Sequence, residues 1–116
     1  MRPGITLTEA NDFAKEFLAS ECVEKGLLSS KDEISKVYYH SVSHFLGLDT
    51  HDCGTRNDKL EPGNVVTCEP GLYFKELGIG VRIEDDVLIT KNGSEVLSNN
   101  IVKDVDAIEK LLGTRR

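Results

Sequence analysis

Apolar positions along this chain keep helical spacing over the first third and give way to strand-like runs after residue 52. In "TLTEANDFAKEFLASECVEKGL", Ala10, Phe13, Ala14, Phe17 and Leu18 recur at the three-and-four interval that builds one apolar stripe on a helix. Thr6 and Glu9 fit a capping box, in which each side chain satisfies the other residue's backbone N–H. Gly26 supplies a C-terminal stop. Ser30 and Glu33 repeat the box before a shorter helix, "KDEISKVYY", that runs up to the first histidine. Beyond residue 52, "NVVTCE" is β-branched and is halted by Pro70 and Gly71, and "GLYF", "GIGVRIEDDVLIT" and "SEVLS" continue the strand signal. Asn92-Gly93 between the last two is a preferred pair for a tight hairpin turn. Asp104 caps a last helix with Val105, Ile108, Leu111 and Leu112 as its buried stripe and Gly113 as its stop. Two helices, a loop-rich histidine segment, an antiparallel meander and a closing helix predict an α+β fold.

Strand alternation sorts the polar residues. Val65, Thr67 and Glu69 share one face of "NVVTCE", with Val66 and Cys68 on the other. Arg82 and Glu84 share a face of "GVRIEDD", opposite Val81 and Ile83, and Asp85 points away from Glu84. Carboxylates on such apolar strands need a cation or must stay protonated at a cost.

Composition narrows the classes. A chain of 116 residues fits one domain, residues 1–116, with one core. The net charge of −6 argues against a nucleic-acid partner. The one basic cluster, the terminal "TRR", reads as a frayed tail. No apolar run approaches the roughly 20 residues that cross a bilayer. The polar N-terminus lacks a signal-peptide core, so a cytoplasmic setting is expected. Cys22, Cys53 and Cys68 are too irregularly spaced for a disulfide framework or a zinc motif and are expected to be free, mostly buried thiols.

All three histidines, His40, His44 and His51, fall in the stretch "HSVSHFLGLDTHD". One imidazole, His44, with two carboxylates, Glu69 and Glu84, suits Mn²⁺, Fe²⁺, Co²⁺ or Zn²⁺ better than a thiolate-seeking ion. Two divalent ions would call for further acidic ligands. The carboxylates of the first helix look like a solvated face. Arg82 fits an ion pair with Glu84 or Asp52 as well as it fits a substrate role.

"HSVSHFLGLDTHDCG", then "LEPGNVVTCEPGLYF", then "GIGVRIEDDVLIT" resembles the C-terminal half of the metallopeptidases with the pita-bread fold. The likeness is greatest to Xaa-Pro aminopeptidases, with Xaa-Pro dipeptidase (prolidase) next. It implies half of a pita-bread fold: an antiparallel curved sheet with two N-terminal helices and one C-terminal helix. It implies His44, Glu69 and Glu84 as metal ligands, His51 as a catalytic proton shuttle, and His40 and Arg82 at the substrate site. The cofactors implied are two divalent ions, Mn²⁺ first and Co²⁺ or Zn²⁺ as alternatives; the substrate implied is a peptide with proline in second position. The family's first half carries two aspartate ligands that this chain lacks. The isolated chain is therefore expected to be inactive, to hold at most one weakly bound ion, and to form a homo-oligomer over its uncovered sheet face. The alternative is an inactive half-domain serving as an interaction or folding module.

Overall fold

In the computed structural model, which describes residues 1–113, the first helix starts where its capping box stands. The Thr6 hydroxyl accepts from the Glu9 N–H at 3.1 Å and the Glu9 carboxylate accepts from the Thr6 N–H at 2.8 Å. Helix α1 runs from Leu7 to Glu24. It ends in a Schellman motif: Gly26 takes φ +69, its N–H donates to Val23 O, and the Leu27 N–H donates to Cys22 O.

The buried side of α1 is not the stripe its spacing predicts. Leu7, Ala19 and Cys22 are buried, whereas Phe13 and Phe17 are 75% and 54% exposed. Phe13 and Phe17 stack on each other instead, their centroids 6.5 Å apart. With Met1, Ile5, Cys68 and Pro70 they line an open groove of about 660 Å³.

The second predicted helix is a 3-10 turn, Lys31–Lys36, and it ends before the tyrosines. Its box is half made. Ser30 gives no side-chain cap, and the Glu33 carboxylate reaches back to the Ser29 N–H at 2.8 Å. Ile34 and Val37 nevertheless seat this turn on α1, forming a cluster with Ala19 and Tyr38.

Five strands follow: β1 (Val65–Cys68), β2 (Gly71–Phe74), β3 (Ile79–Arg82), β4 (Asp85–Thr90) and β5 (Gly93–Val96). They do not form a simple meander. β1, β4 and β5 make one antiparallel sheet in that order, and β2 and β3 pair separately. The two pairings nevertheless share one register, because Val65↔Leu88 to Cys68↔Asp85 continues as Gly71↔Arg82 to Phe74↔Ile79. The step skipped between them sets Glu69 opposite Glu84 and Pro70 opposite Ile83. Proline has no N–H to give the ladder, so a break there is its local cost. The β4–β5 turn is Lys91-Asn92, closed by Thr90↔Gly93, one residue earlier than the Asn-Gly signal.

Val66, Val87 and Ile89 project from the sheet onto Leu7 and Leu60 to form the main core. Fully buried aliphatic side chains of this size contribute roughly 1.5–3 kcal/mol each. The closing helix α2 (Val105–Leu112) is capped as expected, Asp104 accepting from the Ala107 N–H at 2.9 Å. Its stripe is not buried, since Val105, Leu111 and Leu112 are each more than half exposed. The segment before it is pinned to β4 by Asp85, which accepts from the Ser98 hydroxyl and pairs with Lys103 at 2.9 Å. The thiols are free as expected, but only Cys22 is buried; Cys68 is half-buried and Cys53 exposed.

Candidate metal centre

The histidine segment reaches the site by strand pairing. Residues Val42 to Leu46 lie antiparallel along the edge of β1 that β4 leaves open. Glu69 N–H donates to Val42 O at 2.8 Å, Thr67 N–H to His44 O at 2.9 Å, and Leu46 N–H to Val65 O at 3.1 Å. A stretch read as loop from its Ser, Gly and Asp content thus acts as one more strand. Asn11 of α1 anchors it, its side-chain oxygen accepting from the Val42 N–H at 3.2 Å and from the Tyr38 hydroxyl at 2.8 Å. Burial pushes that Tyr38 phenol up to about 12.

His44, Glu69 and Glu84 each offer a ligand atom, and the three atoms lie within 4.8 Å of one another. Register is the cause. His44 sits beside Thr67, and Glu69 faces Glu84 across the interrupted ladder. His44 Nδ1 lies 2.9 Å from Phe45 O. A carbonyl can only accept, so Nδ1 carries the proton and the neutral ring turns its Nε2 lone pair outward. That nitrogen is 3.2 Å from Glu69 Oε1, acceptor against acceptor. Such a pair wants a proton or a metal ion, and the donor set of one nitrogen and two carboxylates fits a divalent transition ion. Glu69 is 8% exposed, but Glu84 is exposed, as are Val81 and Ile83 beside it. The expectation that both carboxylates lie in an apolar setting holds only for Glu69.

Thr67, which sequence reading treated only as a strand position, orients the pair. Its buried hydroxyl accepts from the His44 N–H at 3.0 Å and donates to Glu69 Oε1 at 3.2 Å. Partners of this kind fix ligand orientation at metal sites. Arg82 spans the two carboxylates, 3.8 Å from Glu69 and 3.9 Å from Glu84. Among the described residues it does not pair with Asp52. Asp52 serves its own loop: its carboxylate accepts from the Cys53 N–H at 2.7 Å and the Leu48 N–H at 2.9 Å. These backbone donors, Cys53 first, hold its carboxyl below the ordinary value. At position 47 a Cβ would fall 1.9 Å from Asp52 Oδ2, so a side chain there would push that carboxylate aside.

The loop so closed brings His51 against His44, ring centroids 4.4 Å apart and edge-on. His40 stands elsewhere, its Nε2 2.7 Å from the Tyr73 hydroxyl. The three histidines of one short segment therefore divide between two places. Among the described residues, His44, Glu69 and Glu84 form the one cluster able to hold an ion. No further acidic ligand stands with them. The terminal "TRR" lies outside the described residues.

Among the described residues, no helix is long and apolar enough to cross a membrane. The profile of metallopeptidase family M24 matches residues 1–91. The Xaa-Pro aminopeptidase of Escherichia coli is 38% identical over 134 residues, covering 99% of this chain and 30% of that protein. The mitochondrial intermediate cleaving peptidase 55 of Arabidopsis thaliana is also 38% identical, over 96% of this chain and 24% of its own length. In structure, a candidate aminopeptidase P from Bacillus anthracis superposes with a TM-score of 0.91 at 51% identity, over 97% of this chain and 27% of that one. Zinc-substituted Escherichia coli aminopeptidase P in complex with product gives 0.81 at 38% identity, over 96% and 30%. The chain thus spans 24% to 30% of the length of the curated relatives named here. With a matching profile, conserved architecture and a metal-type donor trio, the chain belongs to metallopeptidase family M24.

Proposed function

We propose that this chain is the C-terminal part of the catalytic unit of a metal-dependent aminopeptidase that releases an N-terminal residue preceding proline. The observation that carries the proposal is the His44 Nε2 at 3.2 Å from Glu69 Oε1, with Glu84 in the same cluster. The names of the relatives, Xaa-Pro aminopeptidases among them, supply the substrate class. In this proposal His44, Glu69 and Glu84 hold the metal; their donor set suits Mn²⁺, Fe²⁺, Co²⁺ or Zn²⁺, and Mn²⁺ is put first on the family resemblance. Bound there, divalent ions supply Lewis-acid polarisation of a carbonyl and a water made more acidic.

The remaining work falls to side chains. Thr67 keeps the Glu69 carboxylate turned toward His44. Arg82 offsets part of the charge of two facing carboxylates. His51, exposed beside His44, moves a proton to the departing amine. His40 and Arg82 meet the substrate. An X–Pro amide has no N–H, so selection for it rests on pocket shape around the ring.

The incomplete donor set supports inactivity of the chain alone, and its uncovered apolar groove supports self-association into a homo-oligomer. Three free cysteines favour a reducing, cytoplasmic setting. An assay of Ala-Pro-peptide hydrolysis by the full-length gene product, with and without Mn²⁺, tests the activity. Metal-dependent release of the first residue is expected and must vanish in His44→Ala. Equal turnover of peptides lacking proline in second position would overturn the substrate class.

A further inference from the structure

His40 has no ring nitrogen to spare. Nδ1 lies 2.9 Å from Ser41 O and Nε2 lies 2.7 Å from Tyr73 Oη. The carbonyl fixes the proton on Nδ1, so in the neutral ring Nε2 accepts and the phenol donates. We propose that the Ser41 carbonyl holds His40 in the Nδ1–H form and thereby commits the Tyr73 hydroxyl as donor to Nε2, leaving the phenol oxygen as the couple's hydrogen-bond-accepting atom.

The surroundings are built for that contact. Tyr73 is held at its backbone, where its N–H donates to Val37 O at 2.9 Å. Its ring stacks on Tyr39, centroids 5.6 Å apart and 11° from parallel, and meets His40 edge-on at 5.5 Å. Two glycines make the room. A Cβ at Gly71 would fall 2.8 Å from both His40 Nε2 and Tyr73 Oη, and one at Gly80, the cross-strand partner of Tyr73, would fall 2.7 Å from its ring. Neither glycine needs an unusual backbone, since neither has a positive φ. A side chain at either position would press on the Tyr73 ring or on its contact with His40.

The chemical consequence concerns what a ligand meets. With its proton committed to His40, the Tyr73 oxygen keeps only acceptor capacity. It therefore suits an N–H or ammonium donor and disfavours a carboxylate or carbonyl oxygen. Gly71 pairs with Arg82 across the ladder, so Arg82, a cation that suits the opposite kind of group, leaves β3 on the same face of the pair as Tyr73 leaves β2. An acceptor and a cation on one face would set the direction in which a peptide lies; that last step rests on the proposed function, whereas the tautomer does not.

Long-range ¹H–¹⁵N NMR of the 116-residue chain reads the tautomer of neutral His40 directly. The expected result is protonated Nδ1 and bare Nε2. Tyr73→Phe keeps the ring and the Ser41 carbonyl but removes the donor, so the Nδ1–H form should persist while the Nε2 resonance shifts on losing its hydrogen bond. Gly71→Ala should do the same while leaving both side chains chemically intact. Tyr39→Phe should change nothing, because its hydroxyl bonds only Lys36 O. Should Gly71→Ala fail to fold, Tyr73→Phe decides alone. A wild-type His40 protonated on Nε2, or an Nε2 resonance unmoved by Tyr73→Phe, would overturn the proposal. The readout needs neither metal nor turnover, so it stands or falls apart from the peptidase activity.

Discussion

Glu69 and Glu84 face each other across the one step at which the long hairpin loses its ladder. Like charges placed opposite on a sheet are destabilising, and here Arg82 spans the two, at 3.8 and 3.9 Å. Arg82→Ala should therefore weaken folding without metal and leave the stability of the metal-loaded chain less affected. Denaturant midpoints with and without Mn²⁺ measure this. A larger loss in the loaded form would contradict it.

Thr67→Val keeps the shape and removes the hydroxyl that links the His44 N–H to Glu69. Losing an orienting partner typically costs about 10- to 100-fold in metal affinity. A Mn²⁺ titration should show weakening of that order, with the far-UV spectrum unchanged. Unaltered affinity would remove Thr67 from the site.

Asp85 titrates below its ordinary value because the Ser98 hydroxyl, first, and Lys103 favour its charged form. A carboxyl depressed in the folded state adds stability that is present above its unfolded pKa, near 3.9, and is lost as pH falls through the folded value. Asp85→Asn should cost roughly 1 kcal/mol at pH 7 and less at pH 2. Thermal melts at the two pH values compare them. A cost undiminished in acid would place the effect elsewhere.

Phe13 and Phe17 expose an apolar stack on α1 that a solvated helix would not keep. Self-association should therefore appear at micromolar concentration by sedimentation. Phe13→Ser with Phe17→Ser should give a monomer that melts no earlier. An unchanged association state would move the contact to the exposed stripe of α2 or the free edge of β3.

Sequence reading reached what is local. Thr6 and Glu9 cap α1 within three residues of each other, and Asp104 caps α2 in the same way. That His44, Glu69 and Glu84 come together was legible in part: alternation assigns the two glutamates to strand faces, and the resemblance carried by three separate motifs singled out all three residues. Register was not legible. Alternation puts Glu69 and Glu84 on faces but does not say that they oppose each other, nor that Val42 to Leu46 will pair with β1. The α1 stripe misled because Phe13 and Phe17 carry most of its hydrophobicity, while the packed side is made of Leu7, Ala19 and Cys22. Which face of a helix is covered depends on what else is present to cover it.

The most direct measurement is a Mn²⁺ titration of the purified chain, following free Mn²⁺ by electron paramagnetic resonance, beside the His44→Ala, Glu69→Ala and Glu84→Ala variants. Weak binding of one ion per chain is expected, lost in each variant. Binding that survives all three substitutions, or wild-type binding no different from theirs, would contradict the assignment of this trio as a metal site.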